Sequence, residues 1–77
     1  SDYTIFTRPD EFSDNSTLSI YSIEGRLIDA IEFNIQKKIT WNGVDAAGSS
    51  LSNGVYLFTV SDLQSGDQAS GKIVLSR

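Results

Sequence analysis

Trp41-Asn42-Gly43-Val44-Asp45-Ala46-Ala47-Gly48-Ser49-Ser50-Leu51-Ser52-Asn53-Gly54-Val55-Tyr56 is the stretch that decides the fold. An aromatic residue closes one strand-like run, and a loop rich in Gly, Asn, Asp and Ser follows. Asn42-Gly43 and Ala47-Gly48 each offer a turn with a permissive second residue. Asp45 can accept hydrogen bonds from nearby backbone amides and hold the loop shut. Ser49, Ser50 and Ser52 fill the loop, and Leu51 is expected to plug it from below. Asn53-Gly54 makes the last turn and launches the most strongly β-patterned segment in the chain.

That segment, residues 55–61, alternates Tyr56, Phe58 and Val60 on one face with Val55, Leu57 and Thr59 on the other. A polar hairpin loop built around Ser65-Gly66-Asp67 leads to a final strand over residues 71–76. Upstream of Trp41, residues 38–41 form a short strand with Ile39 and Trp41 on one face. Residues 3–7 are a β-prone run that Pro9 must stop or confine to an edge. Residues 11–15 are a polar turn with Phe12 as its one apolar anchor.

Residues 16–23 read as a strand with Leu18 and Ile20 on one face and Tyr21 and Ile23 on the other, apolar on both faces near one end. Glu24-Gly25 signals a tight hairpin turn. Residues 26–33 then alternate, with Leu27, Asp29, Ile31 and Phe33 expected on one face and Ile28, Ala30 and Glu32 on the other. A helix over residues 27–38 is the weaker alternative, because the run lacks an N-cap and its Ile and Phe content favours β. Turn signals at roughly 8–12-residue spacing between short strands mark an all-β sandwich. No internal repeat or low-complexity tract interrupts it, and residues 1–77 are expected to form a single module.

The totals narrow the chemistry. A chain of 77 residues buries only about 60–65% of the surface it exposes when unfolded, so its stability must come from a compact apolar core. There is no Cys and no His, which rules out disulfides, Cys or His zinc sites and Cys or His nucleophiles. The net charge of −4 comes from scattered charges, and the one basic doublet, Lys37-Lys38, suits a solvated strand edge better than a phosphate site. Nucleic acid is therefore not an expected partner. No apolar run approaches the roughly 18 residues of a membrane span. The chain does not begin with Met and has no signal peptide, so it reads as an excised or processed module of a longer protein.

Catalysis is hard to build from what remains. Asp10, Glu11 and Asp14 cluster in one turn rather than facing each other across a cleft, and the Ser-rich loop offers no base. No catalytic residue, metal ligand or cofactor is assigned. Asn42 and Asp45 are hard oxygen donors, but their spacing matches no strong cation loop, and capping of their own turn is the preferred account. Tyr3, Trp41, Tyr56 and Phe58 could line a sugar platform, yet Trp41 and Tyr56 are better placed as core anchors of a sandwich. Nothing in the spacing points to an isopeptide triad.

Three motifs carry a resemblance. Trp41, Asn42, Gly43, Asp45, Gly48, Leu51, Gly54, Val55 and Tyr56 resemble the Trp-[Asp/Asn]-Gly-x-Asp-x-x-Gly-x-x-[Leu/Val]-x-x-Gly-x-Tyr pattern of the immunoglobulin-like domain first seen in the flagellar hook-capping protein. That pattern overlaps with the C-terminal sorting domain of the type IX secretion system. Leu18-Ser19-Ile20-Tyr21-Ser22-Ile23-Glu24-Gly25-Arg26-Leu27-Ile28 is similar to the family's strand-turn-strand. Gly71-Lys72-Ile73-Val74-Leu75-Ser76-Arg77 looks like the closing strand of the sorting domains. The likeness covers residues 17–77. The chain departs from the pattern in two places: Arg8-Pro9-Asp10 stands where the sorting domains open with Asn-Pro, and residues 34–37 lack the Gly that commonly precedes the Trp strand.

The resemblance implies an immunoglobulin-like antiparallel β-sandwich of about seven short strands, with Trp41, Gly43, Asp45, Gly48, Gly54 and Tyr56 as its fold signature. It also implies a non-catalytic C-terminal sorting module of an exported bacterial protein, at the cell surface or secreted. The partners would be the outer-membrane secretion machinery and a covalently attached upstream cargo domain. On that account Lys72, Ile73, Val74, Leu75, Ser76 and Arg77 form the part that the machinery reads. A structural, assembly or spacer module of a surface or hook-cap-like protein is the alternative, and a carbohydrate-binding accessory of a secreted hydrolase a lesser one.

Overall fold

The structure is a computed structural model and describes residues 3–76. Six strands follow in order: β1 (Thr4–Thr7), β2 (Ser16–Tyr21), β3 (Leu27–Glu32), β4 (Lys38–Trp41), β5 (Gly54–Asp62) and β6 (Gln68–Leu75). They form two antiparallel sheets, β3-β2-β5-β6 and β1-β4, so the sandwich has six strands among the described residues rather than about seven. Residues 27–32 are strand, which settles the helical alternative. The narrow sheet lies on the inner face of the wide one. Phe6 of β1 meets Phe58 of β5 edge-to-face at 4.9 Å, and Trp41 of β4 meets Tyr56 of β5 at 6.1 Å. Between the sheets Leu18, Ile20, Phe33, Val60, Ile73 and Leu75 are buried, and Phe12 and Ile39 complete the core as expected.

Two face assignments differ from the sequence reading, for related reasons. The wide sheet is covered on its inner face only, so β2 does not need a second apolar face. It ends at Tyr21, and Ile23 lies in the following turn, 65% exposed. In β3, Leu27 is 55% exposed while Ile28 is buried. The register explains why. Ile20 pairs with Asp29, but the adjacent Tyr21 pairs with Leu27, so Ile28 is an extra residue in the ladder. Such a bulge shifts the alternation by one, which carries Leu27 outward while Ile31 and Phe33 stay on the core side. The three-residue turn Ile23-Glu24-Gly25 closes the hairpin through Ser22 N–H to Arg26 O (2.9 Å), with Gly25 at φ 92° in the left-handed region that this turn requires.

The turn before the Trp strand shows how the missing glycine is replaced. Asn34 has φ 55°, the one non-glycine residue with positive φ among those described. Asn tolerates this region better than other side chains, because its short polar group can hydrogen-bond locally. The Asn34 carbonyl accepts a 3.0 Å bond from the buried Arg8 guanidinium, which also pairs with Asp14 at 2.9 Å. Arg8 thereby ties the start of the 10–15 turn to the β3–β4 connection.

The outer face of the wide sheet divides in two. Cross-strand rows of Ala30, Ser19, Thr59 and Ser70, and of Glu32, Thr17, Ser61 and Gln68, make one half small and polar. The other half consists of the row Leu27, Tyr21, Leu57 and Lys72 and the pair Val55 and Val74.

Two features with no obvious mark in the sequence hold this arrangement. Gly71 of β6 sits directly opposite Phe58. A Cβ at position 71 would come within 2.7 Å of the Phe58 ring, which is itself wedged against Phe6. At the other end, Asp62 is buried at the close of β5. Its carboxylate accepts bonds from the Ser13 amide (2.8 Å), the Ser13 hydroxyl (2.7 Å) and the Gln64 amide (2.9 Å), fastening the 10–15 turn to the β5–β6 hairpin. These donors, the Ser13 amide foremost, hold the carboxyl far below its ordinary value of 3.8, although burial pushes the other way.

Gly71→Ala should therefore cost about 1–3 kcal/mol in urea unfolding, as overpacking does, and Phe58→Leu should restore part of that loss when combined with it. An unchanged midpoint for Gly71→Ala would show that the ring moves freely. The Asp62 carboxyl is depressed in the folded state, so its contribution is fully present above the unfolded pKa and fades as pH falls below about 4. The urea midpoint should drop across that range. Asp62→Asn, which brings an amide NH2 against the Ser13 donors, should unfold earlier at pH 7 and show a flatter acid limb.

Candidate functional site

The signature loop between β4 and β5 is held by polar contacts that its own signature residues make. Trp41 is buried, and its indole N–H donates to the Val44 carbonyl at 2.9 Å. Asp45 Oδ1 accepts from the Ala47 amide at 3.0 Å and the Ser49 amide at 2.9 Å, and the Gly48 amide donates to the Asp45 carbonyl. Asp45 thus caps its own turn through Oδ1, as the sequence suggests. Leu51 is half-buried against the core, with its amide donating to the Gly43 carbonyl. Tyr56 is buried, and its hydroxyl reaches back to the Ser52 carbonyl at 2.6 Å. Gly43, Gly48 and Gly54 all take positive φ here. With Trp41 and Tyr56 inside the core, neither can serve as a face for stacking a sugar ring.

The C-terminal segment is built differently. β6 pairs with β5 alone among the described residues, so it is an edge of the wide sheet. Its alternation splits the six residues singled out in the sequence. Ile73 and Leu75 point inward and are buried, each 5% exposed. Lys72, Val74 and Ser76 lie exposed, with Val74 at 73%. Arg77 lies outside the described residues. A partner that meets the folded domain can touch Lys72, Val74, Ser76 and the strand edge, but not Ile73 or Leu75. An edge strand with free backbone groups is the element to which another strand can add. The residues that sequence reasoning missed here are on the neighbouring strands. Tyr21, Leu27, Leu57 and Val55 share the outer face with Lys72 and Val74, and only the cross-strand register brings them together.

The loop contacts set an expected order of effects. Tyr56→Phe removes one hydrogen bond and keeps the ring, so it should cost about 1 kcal/mol. Trp41→Ala empties the core beneath the loop and should cost about 3–5 kcal/mol. Denaturant unfolding of the two variants checks both values; equal losses would mean that the Tyr56 hydroxyl carries more than one bond's worth of order.

No curated protein matches the sequence. A solved structure of PorZ, described as an essential bacterial surface component of the type-IX secretion system of Porphyromonas gingivalis, superposes with a TM-score of 0.69 at 22% identity. The match covers 97% of this chain and 11% of that one, so the chain spans about a ninth of the PorZ length, and the likeness is one of fold. The family model for the FlgD Ig-like domain matches residues 3–74. The chain therefore belongs to the FlgD Ig-like domain family.

Proposed function

We propose that the chain is a non-catalytic sorting module that directs an exported bacterial protein across the outer membrane by a type IX-like route, to the surface or the medium. The observation that carries this reading is the position of β6: an edge strand that keeps Ile73 and Leu75 in the core and offers Lys72, Val74 and Ser76 along an unpaired margin. A folded domain with such a margin can be recognised by strand addition, with backbone bonds supplying affinity and alternate side chains supplying specificity. The FlgD Ig-like family and the fold shared with PorZ support an extracytoplasmic setting and agree with this use. On this proposal the partners are the outer-membrane machinery and the cargo joined to the module.

The alternative is a structural, assembly or spacer role in a surface or hook-cap-like protein. It is favoured by one observation: the signature residues of the 41–56 loop are all spent on closing the loop and anchoring the core, which any such module needs. The carbohydrate-binding reading loses its platform with Trp41 and Tyr56 buried.

A secretion assay separates the two. Residues 1–77 are fused to a periplasm-targeted fluorescent reporter in a host with a type IX system. Deleting residues 72–77 would remove core residues as well as the exposed margin, so the informative variant is Lys72→Glu with Val74→Ser, which leaves Ile73 and Leu75 in place. Export of the parent fusion, reduced several-fold by the double substitution at unchanged circular dichroism, is the expected result. Retention of a folded parent fusion in the periplasm would turn the balance to the structural role.

A further inference from the structure

We propose that Asn53-Gly54, the turn that opens β5, is a site of spontaneous covalent modification, where the Asn53 amide is lost and an aspartate or isoaspartate takes its place. This does not rest on the export reading. The chain holds two Asn-Gly pairs, Asn42-Gly43 and Asn53-Gly54, one at each end of the signature loop. Both have the chemistry. The backbone nitrogen after an asparagine can close a succinimide ring on the side-chain carbonyl carbon, and a glycine there has no Cβ to obstruct the approach. The fold is what separates the two pairs.

The reaction needs only water. The Gly54 nitrogen bonds to Asn53 Cγ, the Cγ–Nδ2 bond breaks, and the amide nitrogen leaves as ammonia with the proton that Gly54 gives up. Water then opens the ring. Attack at Cγ restores the ordinary backbone and leaves an aspartate. Attack at the main-chain carbonyl carbon leaves the peptide link running through Cβ and Cγ, which is isoaspartate. Nothing is oxidised or reduced, and either product adds one negative charge to a chain of net charge −4.

Ring closure requires the backbone to turn until the nitrogen faces Cγ at near-contact distance, so its rate follows the ease of local opening. Asn42-Gly43 is held against that turn. Asn42 follows the buried Trp41, whose indole N–H reaches across the pair to the Val44 carbonyl. Gly43 is buried, its carbonyl accepts the Leu51 amide at 2.9 Å, and Val44 bridges to Ser50 directly after it. Turning the peptide between residues 42 and 43 would disturb all of these. Asn53-Gly54 stands in looser surroundings. Ser52, Asn53, Gly54 and Val55 are all exposed. Gly54 begins β5 opposite Leu75, the last residue of β6, so it lies at the end of its ladder, where pairing opens first. No atom lies within 4 Å of the place a Cβ would take on Gly54, so its surroundings leave room to move. The Tyr56 hydroxyl reaches over this pair to the Ser52 carbonyl, and an isoaspartate, with its extra backbone carbon, would lengthen the span that this bond closes.

The test compares the folded gene product that carries this chain with the same protein in urea, both at mildly alkaline pH. Peptide mass spectrometry follows the exchange of amide for acid at residues 42 and 53, and fragmentation distinguishes isoaspartate from aspartate. The rate at each position in the folded protein is divided by its own rate in urea, which removes any difference in intrinsic chemistry. This ratio should be about ten-fold higher at residue 53 than at residue 42, because an exposed strand end opens more readily than a buried turn. Isoaspartate should accompany aspartate at residue 53. Equal ratios, a higher ratio at residue 42, or no conversion of Asn53 in the folded protein would each overturn the inference, and a product at residue 53 that is wholly aspartate would overturn the passage through the ring.

Discussion

The edge-to-face contact between Trp41 and Tyr56 is the interaction on which the rest of the domain depends. The two sheets share no ladder, so the narrow one is held to the wide one chiefly by side chains, with the Ala46 amide donating to the Ile28 carbonyl of β3 beside them. Trp41 ends β4, Tyr56 follows the start of β5, and the loop between them is fastened at both ends by these same residues, through the indole N–H to Val44 and the hydroxyl to Ser52. Each aromatic therefore packs across the sandwich and closes the loop at once. In a domain with so little interior, a residue that fills core volume and satisfies backbone groups together spares the fold a separate solution for each.

A second tie works at the opposite end through polar chemistry. Asp62 gathers Ser13, Gln64 and Ser65, and Arg8 gathers Asn34 and Asp14. Together they anchor the 10–15 turn over the end of the sandwich that Phe12 covers. A charge this buried needs fixed partners: Asp62 is met by four donors, while Arg8 is met at its NH1 and keeps its Nε–H buried without an acceptor. The result is a module clamped by aromatic packing at one end and by a carboxylate–amide cluster at the other. Phe58 stands between the clamps, and the absence of a side chain at Gly71 gives its ring room.

Function is more distributed than fold. In the loop that looks richest in chemistry, Trp41, Asp45 and Tyr56 direct their polar atoms to the loop's own backbone. What the domain presents outward is surface: a β6 edge unpaired among the described residues, with Lys72 and Val74, and an outer face that is polar at one end and apolar at the other. The two meet at Lys72 and Val74.

Alternation and turn chemistry are local properties, and they alone determined much of this protein. The strands other than the first three residues of β6, which read as loop, the inward faces of β2, β4 and β5, the Gly25 hairpin, the Asp45 cap and the core placement of Trp41 and Tyr56 were legible from neighbouring residues, because strand period and turn preference act over a few positions. Three things lay beyond that reach. The outward turn of Leu27 follows from an extra residue in the ladder with β2, which depends on register and not on the spacing within β3. The glycine-like turn at Asn34 is fixed by where Arg8 and β4 hold it. The roles of Gly71 and Asp62 come from Phe58, 13 positions from Gly71, and from Ser13, 49 from Asp62. Tertiary structure alone decided that β6 is an edge and that five apolar side chains from four strands share one open face. Both are facts about which strands lie side by side, and pairing between distant segments leaves no periodic mark on either one.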